Sequence, residues 1–150
     1  MRARRFQDKV VVVTGASAGI GLAAAQLFGE EGASVVLVAR SERPLEEARA
    51  SLEKKGIRCA AIAADVASPD AAERIVAFAE ERFGGLDVLV NNAGAHARGP
   101  FVTRNADELG RMIDVNLRAP IVLAHHAVAA MRKSGRGGAV VPVASLAGLV

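Results

Sequence analysis

The sequence contains no tyrosine and no tryptophan, and aromatic residues make up only 3% of its 150 positions. Base-stacking platforms therefore have little material, which argues against single-stranded nucleic-acid binding. A lone cysteine, Cys59, excludes an intrachain disulfide. It lies between Ile57 and Ile62 and reads as a core residue rather than a nucleophile. No apolar run approaches the ~18 residues that a membrane helix needs. Residues 1–13 do not read as a signal peptide, because Asp8 and Lys9 interrupt them and the apolar run is short. Linkers rich in Pro, Gly or Ser are missing, and so are low-complexity tracts. His125 and His126 are adjacent on an expected helix and point to different sides, and His96 stands apart from both. No cluster has metal-ligand spacing, so no metal is expected. A cytoplasmic protein without nucleic-acid or membrane partners is the expectation.

What is present is largely apolar. Hydrophobic residues make up 51% of the chain, which suits a buried parallel sheet. The length is that of about one domain. The net charge is +3, and part of the excess sits in Arg2, Arg4 and Arg5. Residues 1–8 read as a basic, solvated arm, since three arginines are fewer than a usual polyanion patch holds.

The elements alternate. Apolar runs at residues 10–13, 34–39, 58–63, 86–90 and 139–143 read as strands. Between them lie helical patterns at 19–31, 44–55, 68–83, 106–115 and 118–132, the last two joined near Asn116. Ser68 and Pro69 read as a cap and a first helical position. Strands separated by helices with short connections imply right-handed crossovers and a parallel sheet. Residues 9–150 are thus expected to form one α/β domain.

The most informative stretch is Thr14-Gly15-Ala16-Ser17-Ala18-Gly19-Ile20-Gly21. It follows four consecutive valines and opens a helical pattern, giving a strand, a glycine-rich turn and a helix start. Glycines let a ligand approach the backbone closely, and the helix N-terminus points its N–H groups at an anion. At the end of the second strand stand Ala39 and Arg40 rather than a carboxylate. A carboxylate there would bind the ribose 2′-hydroxyl of NAD; a cation suits the 2′-phosphate of NADP. NADP is therefore the expected cofactor, with NAD as the alternative. Asp65-Val66 follows the third strand and Asn91-Asn92-Ala93-Gly94 the fourth, both at carboxyl ends, where ligands bind in open α/β sheets.

Taken in order, these motifs, with Asn116 in Val115-Asn116-Leu117 and Ser145 in Ala144-Ser145-Leu146-Ala147-Gly148, resemble the short-chain dehydrogenase/reductase family. The resemblance implies a Rossmann-like, doubly wound parallel sheet, truncated after its fifth strand. It also implies hydride transfer between NADP and an alcohol or carbonyl substrate. Gly15, Ser17, Gly19, Ile20 and Gly21 would line the phosphate turn. Asp65 and Val66 would contact the adenine. Asn92, Ala93 and Gly94 would shape the floor beneath the cofactor, with Asn92 also tying neighbouring strands together. Asn116 would hold a water in a proton relay, and Ser145 would hydrogen-bond the substrate oxygen. A homo-oligomer is implied as well.

Two departures stand against the family pattern. Its general acid is the Tyr of a Tyr-x-x-x-Lys motif, which by the family's spacing would fall after Val150. Pro142 lies in a strand that is interior in the complete fold, where it removes a ladder hydrogen bond. Pro142 is tolerable if that strand is an edge or if its nitrogen faces a gap in the ladder. An enzyme sequence is therefore one reading. A non-catalytic nucleotide-binding or interaction module, or an inactive remnant, is the other.

Overall fold

In a computed structural model the described residues are 4–96 and 99–145. Five strands, β1 (Val10–Thr14), β2 (Ser34–Ala39), β3 (Cys59–Ala63), β4 (Val88–Asn91) and β5 (Ala139–Pro142), form one sheet of order β3-β2-β1-β4-β5. Every pairing is parallel, with Val12 opposite Val36 on one side and Leu89 on the other. The helices between them are α1 (Gly19–Glu30), α2 (Glu42–Glu53), α3 (Ala71–Phe83), α4 (Ala106–Ile113) and α5 (Ala119–Ser134).

The valine run of β1 explains why the sheet carries helices on both sides. Alternate side chains of a strand point to opposite faces. Val10 and Val12 pack with Ile75 and Ala79 of α3 and Leu123 and Ala127 of α5. Val11 and Val13 pack on the other face with Ala25 of α1 and Leu45 and Leu52 of α2. All five residues of β1 are buried, including Thr14. The doubly wound arrangement that the resemblance implies is therefore the one observed.

The ends of several elements differ from the sequence reading. α3 begins at Ala71, not at Ser68-Pro69. The Ser68 N–H donates to the Asp65 carbonyl at 2.9 Å and the Ala71 N–H to the Ser68 carbonyl at 3.1 Å, so these residues close turns before the helix starts. α2 starts earlier, at Glu42, with Pro44 inside its first turn. A missing N–H is harmless there, because first-turn donors have no helical acceptor. β4 starts at Val88, and the preceding Asp87 is 4% exposed. Its carboxylate accepts the Val10 N–H at 2.9 Å and faces Lys9 and Arg136. α4 and α5 are joined near Asn116, as the sequence reading has it. A π-helical turn, Asp114–Arg118, carries one into the other.

Among the described residues β5 pairs only with β4, at one end of the sheet they form. The N–H groups of Ala139 and Val143 donate to the Asp87 and Asn91 carbonyls, each at 2.9 Å. Pro142 therefore turns its nitrogen away from β4, and its missing donor breaks no bond of this ladder. Cys59 is half-buried on β3, and burial pushes its thiol up to about 11. That suits a packing residue, because the thiolate is the reactive form.

Candidate functional site

The carboxyl ends of β1, β2, β3 and β4 open onto a groove of about 160 Å³. Gly15, Ser17, Ala39, Arg40, Asp65, Val66, Ala93, Gly94, Ala95 and Val115 line it. The sequence reading had placed seven of these there: Gly15, Ser17, Arg40, Asp65, Val66, Ala93 and Gly94.

One end of the groove is built from backbone. Gly15 has φ +65, and a Cβ on it would stand 2.9 Å from Asn92 Nδ2. Gly21 is excluded from carrying a Cβ by space alone, since the atom would overlap the Gly15 carbonyl. The turn is thus folded directly onto the first turn of α1. Ala18 occupies the N-cap and supplies no side-chain acceptor. The first-turn N–H groups of Gly19, Ile20 and Gly21 consequently have neither a helical acceptor nor a cap. Ile20 itself is 69% exposed and does not line the groove.

Thr14 ties this turn to β4. Its hydroxyl accepts the Asn92 N–H at 3.0 Å and the Ala93 N–H at 2.9 Å. Asn92 Nδ2 answers by donating to the Thr14 carbonyl at 2.9 Å. The expected tie between neighbouring strands is therefore present, and it runs through Thr14, to which the sequence assigned no separate role.

The other end is built from charged side chains. Arg40 is exposed at the exit of β2. Asp65 accepts the Ala67 N–H at 3.1 Å and an N–H of Arg111 at 2.7 Å. Burial pushes the Asp65 carboxyl up, but the Ala67 N–H, the Arg111 guanidinium and the charge of Arg40 more than offset it. The carboxyl ends below its ordinary value and stays ionised. Arg111 escaped the sequence reading. The available signal was the helical spacing of Arg111, Val115 and Arg118, which puts all three on one side of the α4–α5 segment.

Asn116 reaches the same region from the π turn. Its Oδ1 accepts the Ala95 N–H at 2.8 Å, and its Nδ2 donates to the Ala95 carbonyl at 2.7 Å. An amide offers two donors and two acceptor lone pairs, so one of each remains for a water. Ser145 is exposed, two residues beyond Val143, whose N–H is held by the Asn91 carbonyl. The sheet thereby brings Ser145 to the same carboxyl end as Asn92 and Asn116.

A crevice at the strand ends, beside a glycine turn and a helix N-terminus, is where the class of open α/β proteins takes its ligands. Comparison with known proteins narrows the class. The family described as short chain dehydrogenase matches residues 9–150. An uncharacterized oxidoreductase of Thermotoga maritima is 41% identical over 145 residues, covering 97% of this chain and 57% of that protein. An L-rhamnose 1-dehydrogenase (NAD(P)(+)) of Sphingomonas is 39% identical over 146 residues, covering 97% and 58%. A short-chain type dehydrogenase/reductase structure from Mycobacterium marinum superposes with a TM-score of 0.92 at 29% identity, over 99% of this chain and 60% of that one. A short chain dehydrogenase structure from Mycobacterium smegmatis gives 0.91 at 36% identity, over 97% and 61%. The chain belongs to the short-chain dehydrogenase/reductase family, with a Rossmann-like fold, and spans a little under two thirds of the length of these relatives.

Proposed function

We propose that the groove binds NADP and that this chain forms the cofactor-holding part of an oxidoreductase acting on an alcohol or carbonyl. The observation that carries the reading is the uncapped start of α1 folded against Gly15, with Arg40 on the opposite rim of the same groove. Free N–H donors at a helix N-terminus suit a pyrophosphate. The Arg40 guanidinium suits a 2′-phosphate through charge-assisted hydrogen bonds. Asp65 and Val66 take the adenine end, and Asn92, Ala93 and Gly94 form the floor.

When bound, the nicotinamide cofactor supplies the hydride transfer, and the protein supplies position and electrostatics. Ser145 would donate its hydroxyl proton to the substrate oxygen and polarise the carbonyl. Asn116 braces the Ala95 loop beside the floor and keeps one donor and one lone pair for a relay water. No tyrosine among the 150 residues can act as the proton donor that the family uses. A polypeptide of these 150 residues alone is expected to bind cofactor without measurable turnover, because lack of a positioned acid typically costs about 10²–10⁴-fold.

Self-association of the chain belongs to the same reading. It is supported by Ile113, Leu117 and Ile121, which stand 60%, 58% and 60% exposed along the α4–α5 segment. A cytoplasmic location also belongs to it. Among the described residues no helix is long and apolar enough to cross a membrane.

Titration of the protein with NADPH and NADH, followed by nicotinamide fluorescence, tests the central reading. Saturable binding with preference for NADPH is expected. Failure to bind either nucleotide would overturn it, and equal affinity would remove the role given to Arg40.

A further inference from the structure

We infer that Arg111 is a positioning residue for base recognition: by holding the Asp65 carboxylate it lets this groove choose adenine over a base that carries a carbonyl at the same place. The inference rests on the cofactor reading above. Arg111 Nη2 donates to Asp65 Oδ2 at 2.7 Å, while the Ala67 N–H donates to Asp65 Oδ1 at 3.1 Å. With one donor on each oxygen the carboxylate cannot rotate without losing a bond, yet each oxygen keeps a further lone pair.

An ionised carboxylate accepts hydrogen bonds and cannot donate them. Asp65 is kept ionised by these same partners. It can therefore receive the exocyclic amine of adenine, whereas hypoxanthine would set a carbonyl oxygen against it. Discrimination of this kind needs the acceptor held in one orientation, since a free carboxylate could swing away and admit either base.

The support behind Arg111 is itself fixed. Arg118 Nη2 donates to the Ala67 carbonyl at 3.3 Å, and Arg118 Nε donates to Asp114 at 2.9 Å. The turn that supplies the Ala67 N–H is thus held from the π turn. The same segment holds the Ala95 loop through Asn116. One helical stretch braces both loops that flank the groove, the one after β3 and the one after β4.

Stability alone is a poor account of the pair. Arg111 and Asp65 are 41% and 31% exposed, and exposed ion pairs contribute little to folding. A purely structural pair would shift the melting temperature and leave base preference untouched.

Fluorescence titration with NADPH and with its hypoxanthine analogue separates these roles. The unaltered protein is expected to favour the adenine form. Arg111→Ala should weaken NADPH binding about threefold and lower the adenine preference by a similar factor, with the hypoxanthine form nearly unaffected. Arg111→Lys should recover part of the preference, and it serves as the reporting variant if the alanine substitution does not fold. Adding Arg111→Ala to Asp65→Asn should produce no further loss of preference. Normal NADPH binding with an unchanged adenine preference in the Arg111 variants would overturn this inference alone. Absence of binding by the unaltered protein would overturn the cofactor reading and this inference with it.

Discussion

The two ends of the groove are made in opposite ways. At the β1 end, Gly15 and Gly21 meet through backbone, Thr14 and Asn92 bond each other's backbone through short side chains, and Thr14 is 1% exposed. At the β2 and β3 end, the Arg111 side chain reaches Asp65, and Arg40 lines the groove beside it. Interior packing tolerates neither an added atom nor an orphaned donor. Exposed charges can be exchanged at small cost to the fold. Substitution at the first end should therefore unfold and unbind together, while substitution at the second should alter what is bound and leave the fold standing.

Thr14→Val is the strongest way to test that contrast. It removes the hydroxyl that accepts two part-buried backbone N–H groups. Orphaned donors cost about 1–3 kcal/mol each, so a loss of roughly 3 kcal/mol is expected in denaturant unfolding. Thr14→Ser keeps the hydroxyl and should lose much less. Comparable midpoints for the two variants would show that Thr14 does not hold β1 to β4.

Gly21→Ala comes next. The added methyl would meet the Gly15 carbonyl, which is backbone and cannot turn aside cheaply. A cost of about 2–3 kcal/mol is expected, with nucleotide binding lost in parallel. A variant that melted normally and bound NADPH normally would mean that the glycine turn is more pliant than its geometry indicates.

Arg40→Ala probes the rim. The expected result is a loss of NADPH affinity of at least about tenfold, or ~1.4 kcal/mol, with NADH affinity and the melting temperature nearly unchanged. A matching drop for both nucleotides would place Arg40 on a shared part of the cofactor instead of the 2′-phosphate.

The smallest effect concerns acid. The folded Asp65 carboxyl lies below its ordinary value, so its contribution is present above about pH 4 and is lost as pH falls through the folded value. For a partly exposed group this amounts to less than about 1 kcal/mol. The stability difference between the protein and Asp65→Asn should shrink on acidification below pH ~4. A difference that stayed constant to low pH would show that the Asp65 charge contributes nothing to folding.

The same contrast separates β1 from β5. Every residue of β1 is buried, whereas β5 exposes Val141 by 42% and stands at one end of the sheet that the described residues form. Exposed apolar surface of this kind promotes association. Light scattering on the purified chain should find species larger than a monomer, and a sharply melting monomer indifferent to NADP would count against it.

Much of this molecule is legible along the chain because its signals are local. Four valines can sit between two layers of helices only if both faces are buried, so the run announces an interior parallel strand. The glycines of the 14–21 turn and the Asx-rich end of β4 mark strand ends by the same short-range logic. Ser68-Pro69 misled for the converse reason: a good cap pattern was already engaged in a turn with Asp65. What no local pattern could specify was which distant groups would meet. Arg111 and Asp65 are 46 positions apart, and Thr14 and Asn92 are 78 apart. Their contacts exist only once the order β3-β2-β1-β4-β5 has set the strand ends side by side. The sequence by itself determined the layers, the turn and the family. The tertiary structure alone decided which side chains hold the groove, because hydrogen bonds are satisfied by neighbours in space, and the sheet order chooses those neighbours.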